Sequence, residues 1–333
     1  MPQDLKHMSP LLTARCLALC LIPCLGFAAE EYETPRTEWG LPDLQGVWNF
    51  ASNTPMQRPA RYENRQFLTD EELDELEASL ASQDSTSDAA LQITGVDESY
   101  NDFWVESAGL GEARMTSHLI YPENGRLPPL QADAPRSNFA IAPARPVRSV
   151  LGIIFGTDGP EDRTLSDRCL VGFNAGPPVV PSFYNNNLQI VQNRDHVVIV
   201  TEMIHDARVI PLDERPQLPE EIGLWSGDSR GYWEGDTLVV ETRNFNGLTE
   251  TFPGFGSSEN KHLIEKFTRV SQGRIDYEFT IDDPSTFTDK VVGLIPIYKV
   301  AGLVYEYACH EGNYGLVNIL RGARVQEERA ETN

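Results

Sequence analysis

A chain of 333 residues with 40% hydrophobic content has room for one large or two ordinary domains, and that content argues against global disorder. Its formal net charge of −23 argues against a nucleic-acid partner, whose phosphates need a basic face, and against docking on anionic lipid. Such a charge otherwise serves solubility.

Residues 11–28, LLTARCLALCLIPCLGFA, carry one arginine, an apolar run and then small residues at Gly26 and Ala28. This pattern predicts a signal peptide over 1–28, with Met8 as a possible start, and places the mature protein in the periplasm or outside a bacterial cell. The unbroken apolar run is too short for a comfortable membrane span, and Pro23 before Cys24 speaks against a lipid anchor. Cys16, Cys20 and Cys24 leave with the leader, so the mature chain keeps Cys169 and Cys309. In an oxidising compartment two cysteines suggest one disulfide, the alternative being two buried thiols. A bridge would close a loop of about 140 residues, worth roughly 4–5 kcal/mol at most in the chain-entropy model.

Residues 29–178 read as an extended N-terminal arm, a first strand, a helix and wrapping loops. The stretch 30–46 is acidic and proline-rich, and Gly46-Val47-Trp48 opens the first strand. Over 69–83, Thr69 as N-cap, Glu72 completing a capping box and the stripe Leu73, Leu76, Leu80 predict a helix that packs. From 84 to 178 periodicity weakens, apart from short apolar pieces at 117–121 and 149–155; Asn101-Asp102-Phe103-Trp104 offers aromatics to a pocket or pins the loop to the core.

From 184 onward the pattern is all β. Alternation predicts strands at 187–192, 196–203, 207–212, 229–234, 237–245, 261–270, 274–281, 291–299 and 303–309, and turn residues such as Asn193-Arg194-Asp195 and Glu234-Gly235-Asp236 separate them. Neighbours joined by short turns pair antiparallel, and consecutive hairpins most simply close into an up-and-down barrel over 179–313. An open β-sandwich is the alternative. The opening G-x-W resembles that of lipocalin-type (calycin) barrels, in which a tryptophan plugs one end. Residues 314–333 form a helical, charged tail.

Glu202, His205, Asp206 and Arg208 place four ionisable groups within seven residues, beside the apolar runs Val197–Val200 and Val209–Leu212. Such groups are costly to bury unless they pair or do chemistry. His205 suits a general base or acid, Asp206 or Glu202 its orienting partner, and Arg208 an anion holder; an ion-pair network is the structural alternative. His310 and Glu311 follow in YEYACHEGN, where a disulfide at Cys309 would fix the imidazole. Tyr184, Asn186, Trp233 and Tyr305 are candidates for substrate contact. His262 and Glu265 fall on opposite faces of their strand. His205, His310, Glu202 and Glu311 make a conceivable divalent-metal set, but no compact ligand motif supports it, so the expectation is no metal and no cofactor. No P-loop or dinucleotide glycine pattern is present, and Gly-Asp-Ser at 227–229 is not enough for a nucleophile.

The motifs PDLQGVW, RCL, YNNN-LQIVQ, EMIHDAR, GDSRGYWEGDTLVVET-NF and YEYACHEGNYG, spread over most of the mature chain, resemble a widespread family of exported bacterial proteins. That resemblance brings no catalytic residues with it. The residues themselves lead to an enzyme of lyase, isomerase or hydrolase type acting on a small hydrophobic or aromatic molecule in a barrel pocket, or alternatively to a non-catalytic periplasmic carrier. Oligomeric state is not legible.

Overall fold

The computed structural model describes residues 32–84, 113–134, 156–249, 254–256 and 259–332. The expected leader over 1–28, the aromatics at 101–104 and the apolar piece 149–155 lie outside the described residues.

Alternating side chains build the walls. On β8 (His262–Ser271) Leu263, Glu265, Phe267 and Arg269 are buried while the residues between them are half-buried or exposed; on β9 (Arg274–Asp282) Ile275, Tyr277, Phe279 and Ile281 do the same. The two strands form one long hairpin, and β10 (Val291–Val300) pairs with the other side of β9. Before them, β6 (Asp228–Glu234) and β7 (Thr237–Arg243) make a hairpin against β8. On the far side, β3 (Asn187–Gln192), β4 (His196–Thr201) and β5 (Ala207–Pro211) form a second meander. The first strand, β1 (Gly46–Asn49), joins the meanders by pairing with β10 on one edge and β3 on the other. Short β2 (Leu119–Tyr121) also pairs with β10.

Among the described residues the ten strands thus form one antiparallel sheet in the order β5-β4-β3-β1-β10-β9-β8-β7-β6. Apart from β2, this is the up-and-down order expected from the hairpins. The sheet curls until its ends approach but no ladder joins β5 to β6, so the barrel-like wall keeps a seam. Side chains cross it: a Cβ on Gly231 of β6 would come within 2.8 Å of Ile210 and 2.9 Å of Leu212. Glycine is what lets the two edges approach so closely.

The interior is packed with Leu, Ile, Val and aromatic side chains, including fully buried Trp48, Phe267, Tyr277 and Phe279. Trp48 donates from Nε1 to Leu44 O at 2.9 Å, with the Arg269 and Lys299 cations 5.6 and 5.7 Å from its ring. Gly293 makes room for Phe279, whose ring a Cβ there would overlap. Gly293→Ala should therefore cost about 1–3 kcal/mol as overpacking. Chemical denaturation checks this, and Phe279→Leu in the same chain should recover part of the loss.

Helix α1 (Asp70–Asp84) starts as expected: Glu72 N donates to Thr69 Oγ1 at 3.2 Å and Thr69 N donates to Glu72 Oε2 at 2.9 Å. Its leucines pack on Tyr62 and Leu68, a small cluster apart from the barrel core. Helix α2 (Tyr314–Glu331) is capped by the Asn313 side chain and buries no residue. The strand expected over 303–309 is irregular chain instead, with Leu303 79% and Tyr305 76% exposed. At that end β10 has β1 on one side and β9 on the other, so no free edge remains for another strand to join.

Candidate functional site

Strands β4 and β5 are joined not by a plain two-residue hairpin but by one tight turn, Met203–His205. Ile204 and His205 both have positive φ, 62° and 45°. For a β-branched residue this region is sterically costly, of order 1–3 kcal/mol, and it persists only when surrounding contacts impose it. The left-handed pair breaks the strand's two-fold alternation. As a result the four ionisable side chains of 202–208 leave the turn in different directions.

Arg208 points into the barrel. Its guanidinium forks onto Glu265 of β8, which is fully buried; Nη1 bonds Oε2, and Nη2 lies 3.0 Å from Oε1. Tyr277 Oη donates to Glu265 Oε1 at 2.8 Å and itself accepts from Val179 N at 3.2 Å. Burial, then the Glu265 charge, pushes the Tyr277 phenol well above its ordinary value, so it stays a donor. Burial works against the Arg208 cation, Glu265 works for it, and the net direction is upward. This is a closed network that ties β5, β8, β9 and the 174–182 strap together across the interior. Arg208 is therefore engaged by a carboxylate of the protein itself, rather than presented as a free anion holder.

Glu202 is buried and turns toward β3: Asn187 Nδ2 donates to its Oε2 at 2.8 Å, and Asn49 Nδ2 donates to Asn187 Oδ1 at 2.9 Å. Asp206 accepts from Ser226 Oγ at 3.2 Å. Asp206, Arg208, Ser226, Thr201, Pro177 and Val179 share the wall of a small recess with room for about one water.

His205 points outward. Its Nδ1 lies 3.0 Å from the carbonyl oxygen of Tyr307. A carbonyl only accepts, so Nδ1 must carry the proton and Nε2 is left as an exposed lone pair. The 305–313 segment that supplies this carbonyl is anchored by the Cys169–Cys309 disulfide, with Cα atoms 5.7 Å apart, and by Asn313 Nδ2 donating to Asp167 O at 2.7 Å. The expected bridge is present. His310 and Glu311 are exposed on the same segment, and neither side chain bonds to the Glu202–Arg208 group.

The expected substrate contacts are scattered. Tyr184 packs edge-on against Phe173 at 5.9 Å. Asn186 is fully buried and clasps Ser182, accepting from its N at 2.7 Å and donating to its O at 2.9 Å, which is scaffold work. Trp233 lies half-buried against the barrel core on β6, and Tyr305 stands in solvent. His262 and Glu265 face opposite ways as parity requires: His262 lies outside, between Glu241 and Arg243. Among the described residues no three of His, Cys, Asp and Glu gather to hold a metal ion.

Glu265, Tyr277 and Ser226 were not singled out from sequence as partners of this group. The signal for the first two was present, since each sits at an inward position between apolar neighbours, Leu263 and Phe267 for one, Ile275 and Phe279 for the other.

No family profile and no curated protein matches this chain. Among solved structures a variant of the fluorescent protein UnaG is similar over 35% of this chain and 72% of that chain, at 16% identity and a TM-score of 0.21, too slight a likeness to bear on fold or function.

Proposed function

We propose that this protein is an exported enzyme that carries out general acid–base chemistry, of lyase, isomerase or hydrolase type, on a small hydrophobic or aromatic molecule, with His205 as the base. The observation that carries the reading is the His205 ring: one nitrogen is committed to a backbone carbonyl, the other is exposed and able to accept a proton. A bridged loop and a strained turn that hold one imidazole are what preorganisation requires. Leu303 and Tyr305, exposed on the segment that contributes Tyr307, give an apolar substrate something to lie on. The disulfide suits an oxidising compartment, and among the described residues no helix is long and apolar enough to cross a membrane.

A second reading, a carrier without turnover, is favoured by the Arg208–Glu265–Tyr277 network, which satisfies itself and asks nothing of a ligand. One experiment separates the two. The protein is incubated with a panel of small aromatic esters, enones and β-hydroxy ketones, and the recovered compounds are weighed by mass spectrometry. We expect conversion of at least one class, falling roughly 100-fold or more in His205→Gln, the usual scale of a general-base contribution. Compounds retained but chemically unchanged favour the carrier, and conversion at full rate in His205→Gln removes His205 from the chemistry. Independently of substrate, long-range 1H–15N NMR should find His205 in the Nδ1–H tautomer.

A further inference from the structure

Helix α2 is apolar on two sides, and the chain covers only one of them. At about 100° per residue, Leu316, Leu320 and Ala323 share one side, and they are the half-buried residues of the helix. The opposite side carries Tyr314, Val317 and Val325 at helical spacing, and these are 74%, 45% and 45% exposed. α2 also contains Gly315 and Gly322, poor helix formers both, and buries no residue. Helical stability in a protein comes mostly from the packing of apolar faces, so the outer side of α2 calls for a cover.

Charge narrows the choice of cover. A net charge of −23 makes two copies of this chain repel over most of their surfaces. Over α2 it does not, because Arg321, Arg324 and Arg329 balance Glu327, Glu328 and Glu331. Along the outer side the order is apolar, basic, apolar, acidic: Val317, Arg321, Val325, Glu328. Arg324 is engaged by Glu327 and by the carbonyls of Thr157 and Asp158, whereas among the described residues Arg321 and Glu328 make no ion pair. These two stand on either side of Val325, two turns apart. A two-fold axis near Val325 therefore sets two α2 helices antiparallel, with Arg321 of each copy against Glu328 of the partner subunit and the two Val325 side chains close to the axis. We infer that the outer side of α2 is where two copies of this protein meet as an isologous dimer. The helices overlap from Val317 to Glu331, over about 22 Å. Such a contact is small beside the roughly 800 Å² per partner of a standard interface, so the dimer is a reversible one of micromolar strength. It draws on no residue of the His205 site.

The test uses the full mature chain with its disulfide intact. Sedimentation velocity from about 5 to about 500 µM brackets an affinity of this order. We expect the mass to rise from one chain toward two, and Val325→Glu to stay a single chain throughout. Arg321→Glu and Glu328→Arg should each weaken pairing roughly tenfold or more, since each sets like charges opposite one another. The two together should restore it to about the parent's level. His205→Gln should pair as the parent does, which separates this result from any on turnover. Circular dichroism verifies that each variant is folded, and should Val325→Glu fail to fold, the charge exchange decides alone. A parent that stays a single chain at every concentration overturns the proposal; hydrogen exchange then tells whether α2 is protected by its own chain, for instance by the apolar piece 149–155, or stands uncovered. A dimer that survives Val325→Glu, or one that the double charge exchange does not restore, puts the contact elsewhere and overturns it as well.

Discussion

Replacing Arg208 by alanine should destabilise the fold by about 3–5 kcal/mol, the usual cost of stranding one half of a buried ion pair. Glu265 is fully buried and receives two of its three side-chain bonds from that guanidinium, so the variant would leave a carboxylate in the barrel interior with only Tyr277 for company. Glu265→Ala should cost a similar amount for the mirrored reason. The pair itself is another matter, because desolvating both ions offsets most of their attraction, and well-packed apolar substitutes are often neutral or better. Arg208→Met with Glu265→Leu is therefore expected to lie nearer the parent than either single variant. Urea denaturation of the parent and the three variants checks this order. Single variants that unfold at the parent's urea midpoint would show that the network does not hold the wall together, and would reopen Arg208 as a residue kept for chemistry.

Removing the disulfide should have an effect of comparable size. Cys169 and Cys309 are separated by 140 residues in sequence. For that loop the chain-entropy model gives about 5 kcal/mol as an upper figure, and removal of native bridges generally costs roughly 2–5 kcal/mol. A Cys169→Ser, Cys309→Ser double variant should lose stability in that range. It should also lose something local. Without the bridge, the 305–313 segment keeps the Asn313 to Asp167 bond but loses its covalent tie two residues from the Tyr307 carbonyl that meets His205. The His205 ring is then expected to populate both tautomers. Denaturation reports the first consequence and NMR the second. An unchanged tautomer in the unbridged protein would mean that the turn, not the loop, orients the imidazole.

Much of the wall was legible in the sequence because period-two alternation is a direct record of which side faces the core. Leu263, Glu265 and Phe267 fell on one face and His262 on the other from parity alone, and the capping box at Thr69 and Glu72 fixed the start of α1. Alternation is not sufficient, however. Leu303 to Tyr307 alternates well enough, yet the chain there has no strand edge to meet, and pairing is a property of a neighbour rather than of a segment. The cluster at 202–208 was visible for its density of charge, but its directions were not, because two left-handed residues in the turn reset the parity. The partner of Arg208 lies 57 residues away on another strand, and no local rule reaches that far. Asn186 read as a ligand amide for want of any local sign that it is buried.

The pairing of β1 has a kinetic corollary. Val47 sits opposite Gln189 on one side and Val300 on the other, so the first strand to be synthesised needs a partner that arrives about 250 residues later. Each of the two meanders is local and closes short loops, whereas their union waits on the β1–β3 and β1–β10 contacts, which join residues far apart in sequence. Until then both faces of that gap expose unpaired backbone, which makes the half-assembled chain, not the finished one, the form most exposed to strand exchange with its neighbours.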